Sequence, residues 1–156
     1  MNKLIVVAEI EEIKLIDKLN TYEFKNTPIL VTGVGALNVI NALNDIPKDI
    51  HIINIGYAGS KSLSVNTFYE VSEVTLNHPN VNYNEPVYRL NNHGLYNRVK
   101  CLTGCDFVLK SDVDYCVFDM ELAYILALGF NSVSSFKYVS DNLDLHEYRN
   151  NLKNNE

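Results

Sequence analysis

Short runs of aliphatic and β-branched residues recur along the chain, and several lead directly into residues at helical spacing. KLIVVA at 3–8 is a short β-branched run, most simply a buried strand, and PILVT at 28–32 and HIINI at 51–55 read as the second and third strands. TFYEVSEVTL (67–76), Val99–Leu102, DYCVF (114–118) and SFKYV (135–139) are further strand candidates. Between them, Glu11–Leu19 carries Ile13, Leu15, Ile16 and Leu19 at helical spacing, and Ala36–Leu43 and Asp119–Phe130 predict two more helices. The polar tail from His146 is read as helical or frayed, and the Asn-rich stretch 77–97 as an irregular loop with room for one short strand. Strands alternating with helices predict an α/β chain with helices on both faces of a sheet. No repeat or linker divides it, so residues 1–156 are expected to form one domain.

Charge and cysteine usage narrow the partners. A net charge of −6 argues against a nucleic-acid backbone or an anionic membrane surface. Arg89, Arg98 and Arg149 are the only arginines, few for a polyphosphate site. Cys101, Cys105 and Cys116 form no CxxC pair, and the LIVVA run is too short for a signal sequence, which together predict reduced thiols in a cytoplasm. No apolar stretch is long enough to span a membrane.

In α/β sheets ligands bind beyond the carboxyl ends of strands. That rule selects Glu9–Glu12, Thr32–Gly35, Gly56–Gly59, Thr103–Val108, Asp119–Glu121 and Ser140–Asp141. Acids in a first helical turn complement the macrodipole, and that reading suffices for Glu9 and Glu11. Thr32-Gly33-Val34-Gly35 is not GxGxxG, since Asn38 holds the third position, so it reads as a tight turn rather than a dinucleotide site. Asp119 can cap a helix with Glu121 in its first turn, and taken alone FDMELA (118–123) divides evenly between cap and site. Ser140-Asp141 alone reads as a turn or cap. His78 is a lone loop histidine; no metal-ligand spacing and no GxSxG elbow is present, so neither a metal nor another cofactor is expected.

Taken in order, VVAEIEEI, VTGVGALNVINAL, INIGYAGS, VSEVTLNHPNV, LTGCDFV, VFDMELAYILA and YVSDNLD resemble the nucleoside phosphorylase/nucleosidase superfamily, most closely the bacterial methylthioadenosine/S-adenosylhomocysteine nucleosidases. The resemblance runs from Ile5 to about Asp144, with VFDMELA and VSDNLD its most specific pair. It implies a three-layer α/β/α fold around a central mixed, mostly parallel sheet, a purine nucleoside as partner, and a homodimer. It further implies that Glu121, beside Met120, grips the ribose hydroxyls, for which a carboxylate is a good acceptor. Asp141 matches the general acid at the purine N7, and Glu12 the glutamate that deprotonates the attacking water. Phe107 falls where an aromatic stacks on the base, Val108 where backbone groups read its edge, and Tyr57, Ala58 and Gly59 where a loop lines the sugar. Asp119 matches a frequent family acid, read as capping or support.

The chain departs from that pattern in being shorter, in the stretch after the first helix and again between Asn84 and Val99. Tyr57 replaces a small residue, Asn80 stands where an acid is common, and Cys105-Asp106 reverses the family order. Glu9, Glu11 and Glu12 at the first loop, with no arginine in Gly33–Gly35 or Gly56–Gly59, favour a neutral water over phosphate as nucleophile. The expected activity is N-glycosidic hydrolysis of a purine nucleoside of the methylthioadenosine or S-adenosylhomocysteine kind. The alternatives are a phosphate-dependent phosphorylase and a nucleoside-binding remnant without chemistry.

Overall fold

A computed structural model describes residues 2–77, 86–104, 108–109, 111 and 113–154. The elements are β1 (Lys3–Val7), a 3-10 helix (Ile10–Lys18), β2 (Ile29–Val31), α1 (Ala36–Leu43), β3 (His51–Gly59), β4 (Phe68–Leu76), β5 (Tyr88–Arg89), β6 (Arg98–Thr103), β7 (Cys116–Asp119), α2 (Leu122–Ala127), β8 (Val133–Asp141) and α3 (Leu145–Asn154). The apolar runs become the strands because each presents β-branched or aromatic residues to both faces: β3 and β8 are buried along their whole length.

The mixed, mostly parallel α/β sheet agrees with the sequence. Its closure does not follow the open three-layer arrangement expected. β3 pairs in parallel with β8, β8 antiparallel with β4, β4 in parallel with β6, and β6 in parallel with β7. β7 then returns antiparallel to β3 at the register pair Gly59–Phe118, so five strands form a ring. Strand twist accumulates around such a sheet until its edges meet. β1 and β2 extend in parallel from β3, and β5 lies antiparallel on β4.

Helices still cover two sides. Val39 and Leu43 of α1 and Leu122, Ala123 and Ile125 of α2 pack with Val6, Ile52 and Val71. Leu15 of the 3-10 segment and Leu19 just after it pack with Ile53, Ile55, Tyr57, Phe136 and Tyr138, joined by Tyr148 and Leu152 of α3.

Three boundaries differ from expectation in ways that shape the site. β3 does not stop at Gly56 but runs to Gly59, held by pairing with β8. β8 reaches Asp141, with a register shift at Ala58/Gly59 that sets Asp141 opposite Gly59; such a bulge re-aims the residue beside it. The helix expected from Asp119 starts at Leu122, because Asp119 completes β7 and its carboxylate accepts the Leu122 N–H at 2.8 Å.

Candidate active site

Beyond the carboxyl ends of β1, β3, β7 and β8 lies a cavity of about 210 Å³. Glu12, Tyr57, Ala58, Gly59, Met120, Glu121 and Asp141 of the predicted set all line it, together with Ala8, Glu9, Val34, Phe118, Asp119, Ser140 and Tyr148. Val108 is not among the lining residues: it packs beside Cys116, Phe118 and Leu143. Phe107, His78, Asn80 and Cys105 lie outside the described residues.

Glu12 is held by three backbone donors. Its Oε1 accepts the N–H groups of Ala8 and Glu9, each at 2.9 Å, and its Oε2 that of Tyr57 at 2.7 Å. The 3-10 winding aligns Glu12 with buried Leu15 three residues on, so the turn that anchors the segment also presents the acid. Gly56 leaves the room: a Cβ there would lie 2.5 Å from Glu12 Oε2. Burial raises the Glu12 carboxyl to about 7, against the opposing pull of Lys137 and the backbone donors.

Glu121 Oε2 accepts the Gly35 N–H at 2.8 Å. The Gly33–Gly35 turn, with φ near 90° at both glycines, is therefore a tight turn as expected and also a support for the site. Burial, with Asp119 nearby, raises Glu121 to about 8. Asp141 is wholly buried; Oδ1 accepts the Ser140 hydroxyl at 2.7 Å, and Oδ2 accepts the Leu143 and Asp144 N–H groups at 2.9 and 3.2 Å. Leu143 adopts φ 67° in the turn that aims these donors at the carboxylate. Burial again raises the Asp141 carboxyl above its ordinary range.

The sequence reading missed Lys137, on β8 two positions before Val139. It is 1% exposed, and its Nζ lies 3.1 Å from Asp119 Oδ2. Burial pushes against the charge, but Asp119, Cys101, Glu121 and Glu12 around it outweigh this and hold the ammonium protonated. Asp119 also accepts hydrogen bonds from Thr103, Cys101 and Leu122. Burial works to raise its carboxyl, yet Lys137 and these donors hold it below the ordinary carboxylate range. Asp119 is thus both the expected cap and one half of a buried ion pair. The available signal was a lysine inside SFKYV, a strand otherwise free of charge.

The raised carboxyls have a sign that can be measured. Glu12 and Glu121 bind protons in the folded state up to about 7 and 8 but release them near 4.5 when unfolded. Their contribution is fully present below 4.5 and is lost as pH rises through 7 and 8, so stability of the unliganded protein falls across that window. Urea midpoints taken along the same range should decline; midpoints that rise would contradict this placement of the acids.

Among the described residues, no group of three His, Cys, Asp or Glu side chains is placed to hold a metal, and no helix is long and apolar enough to cross a membrane. The cavity brings three carboxyl groups, Glu12, Glu121 and Asp141, each raised by burial, around one concave space. That set can donate a proton at one point, accept one at another and bind hydroxyls between.

No protein-family model and no curated protein matches the sequence. Solved structures do match. A methylthioadenosine-bound MTAN variant from Chlamydia trachomatis aligns at 18% identity with a TM-score of 0.78, over 99% of this chain and 91% of that one. The 5′-methylthioadenosine/S-adenosylhomocysteine nucleosidase of S. pneumoniae, solved with the transition-state inhibitor MT-ImmA, aligns at 16% identity with a TM-score of 0.75, over 99% and 91%. The nucleosidase of the same name from Neisseria meningitidis, in complex with methylthio-immucillin-A, aligns at 18% and 0.75, over 97% and 92%. The chain therefore has the fold of the 5′-methylthioadenosine/S-adenosylhomocysteine nucleosidases, as its sequence motifs led us to expect.

Proposed function

We propose that this chain is an N-glycosidase that hydrolyses the bond between base and sugar in a purine nucleoside, of the class that includes 5′-methylthioadenosine and S-adenosylhomocysteine. The observation that carries the reading is the meeting of Glu12, Glu121 and Asp141, from three distant parts of the chain, around one cavity. Asp141 donates its proton to the purine N7, so the base leaves neutral as the C1′–N9 bond breaks. Glu12 takes a proton from the water that forms the new C1′–O bond. Glu121 accepts hydrogen bonds from the ribose hydroxyls. Carboxylates near C1′ also stabilise the positive charge that develops on the sugar.

The raised pKa values of Asp141 and Glu12 suit their roles. A buried Asp141 retains its proton more readily than an exposed one, and a Glu12 near 7 is substantially ionised at neutral pH, as a base must be. Lys137 supplies the cation that keeps the cluster from becoming uniformly protonated. Water is favoured over phosphate because the lining among the described residues includes four acids beside Glu12 and no lysine or arginine, while Lys137 is engaged with Asp119. The apolar side chains that β2 and α1 leave exposed, Ile29, Val31, Leu37 and Ile40, support a homodimer, and the buried free thiols Cys101 and Cys116 suit a reducing cytoplasm.

The test is release of free base from methylthioadenosine, S-adenosylhomocysteine, adenosine and inosine, each with and without phosphate. We expect phosphate-independent release from at least one. Release only with phosphate would make the protein a phosphorylase; binding with no release from any would make it a non-catalytic nucleoside binder.

A further inference from the structure

One wall of the cavity is not used by the chemistry above. It is formed by Glu9 at the start of the 3-10 segment, Tyr148 of α3 and Tyr57 of β3. The Tyr148 hydroxyl donates to Glu9 Oε2 at 3.0 Å, and the Tyr148 and Tyr57 rings meet edge to face with centroids 6.4 Å apart. Tyr57 is 6% exposed, and its Oη is buried with no hydrogen-bond partner among the described residues. A buried hydroxyl left unpaired is costly, so a polar group that reached the Tyr57 hydroxyl would gain a hydrogen bond there.

The sugar's orientation decides what reaches this wall. With the base at Asp141, C1′ beside Glu12 and the 2′,3′ edge on Glu121, the carbon bearing the 5′ group lies across the ring oxygen from C1′. Its substituent therefore heads away from Asp141 and Glu121, toward the remaining lining of Ala8, Glu9, Val34, Tyr57 and Tyr148. We infer that Glu9, Tyr148 and Tyr57 form a polar subsite that selects a purine nucleoside with a free 5′-hydroxyl over one with a 5′-thioether. This rests on the nucleosidase reading and moves its preferred substrate from the 5′-thioethers named there to a purine nucleoside with a free 5′-hydroxyl.

The chemistry is one of donors and acceptors. A 5′-hydroxyl donates to the Glu9 carboxylate, which has lone pairs beyond the one that Tyr148 uses, and accepts from a tyrosine hydroxyl. A thioether sulfur donates nothing and accepts weakly, so seating it there strips water from Glu9 and Tyr57 and returns no comparable bond. Sites built to hydrogen-bond a substrate hydroxyl discriminate strongly against analogues that lack it.

The experiment measures both binding and base release for adenosine and 5′-methylthioadenosine, on the wild type and on Glu9→Leu, Tyr148→Phe and Tyr57→Phe. We expect adenosine to be preferred at least about tenfold in kcat/KM by the wild type. Glu9→Leu should reverse the order and Tyr57→Phe should reduce the preference. Tyr57→Phe removes a hydroxyl that no described residue partners, so it should keep the wild-type melting temperature and report on the subsite even if Glu9→Leu folds poorly. Base release with equal or better use of the thioether would overturn the subsite and leave the nucleosidase standing. A binding preference for adenosine without base release would keep the subsite and overturn the nucleosidase. Binding of neither nucleoside would overturn both.

Discussion

The proposed general-acid role predicts that Asp141→Asn will lower kcat for base release by about 10²–10⁴-fold, the range general acid catalysis supplies, while nucleoside binding changes little. The asparagine amide has the size of the carboxyl and keeps an oxygen to accept the Leu143 and Asp144 N–H groups, so the turn that follows β8 is preserved. What it lacks is a proton that can leave. Without protonation at N7 the purine must depart as an anion, and the barrier rises accordingly. The measurement is steady-state release of free base beside direct nucleoside binding. A variant that turns over at the wild-type rate would remove Asp141 from the chemistry; loss of binding and activity together would make its role structural.

Lys137→Met is the substitution with the largest expected effect on stability. Its Nζ is 3.1 Å from Asp119 Oδ2, and both side chains are almost wholly shielded from water. Removing one partner of such a pair leaves an uncompensated buried charge, at a cost of about 3–5 kcal/mol. The penalty belongs to the ionised form of Asp119, so the deficit should narrow as pH falls and that carboxyl protonates. The double variant Lys137→Met with Asp119→Asn should regain much of the loss, because it leaves no buried charge behind. Denaturant unfolding of the single and double variants at two pH values tests this. A single variant as stable as wild type would mean that Asp119 finds another cation or water.

These expectations depend on parts of the molecule that the sequence displayed unequally. Ala36–Leu43 was legible to the residue, because helical spacing of apolar side chains directly records which face is buried. The KLIVVA and PILVT strands were legible as short β-branched apolar runs, although β2 in the fold leaves Ile29 and Val31 exposed. β3 beyond Ile55 was not: Gly56 and Gly59 look like turn residues, whereas in the fold they stay in the strand and lend their missing side chains to Glu12 and Asp141, whose oxygens would lie 2.5 and 3.0 Å from a Cβ. Closure of the sheet was hidden too, since it depends on β8 pairing with both β3 and β4, a relation between residues far apart that no local pattern carries. Of the site, the acids of VFDMELA and VSDNLD were found through family motifs, as was Glu12. Lys137 and Tyr148 had no motif to mark them, and Glu9, inside VVAEIEEI, was read only as complementing a helix dipole; each acquires its place from what the fold brings opposite it.

The ring of strands also bears on how the chain acquires its site during synthesis. Glu12, Asp119 and Glu121 all leave the ribosome before Lys137, the one fully buried ammonium among the described residues, and before Asp141 beyond it. Until β8 is inserted between β3 and β4, three acids destined for burial have no cation to share, and their mutual repulsion opposes collapse. The last strand to be made is therefore the one that neutralises the interior, completes the ring of strands and delivers Asp141 in a single event. A nascent chain arrested before residue 133 should remain open and solvated.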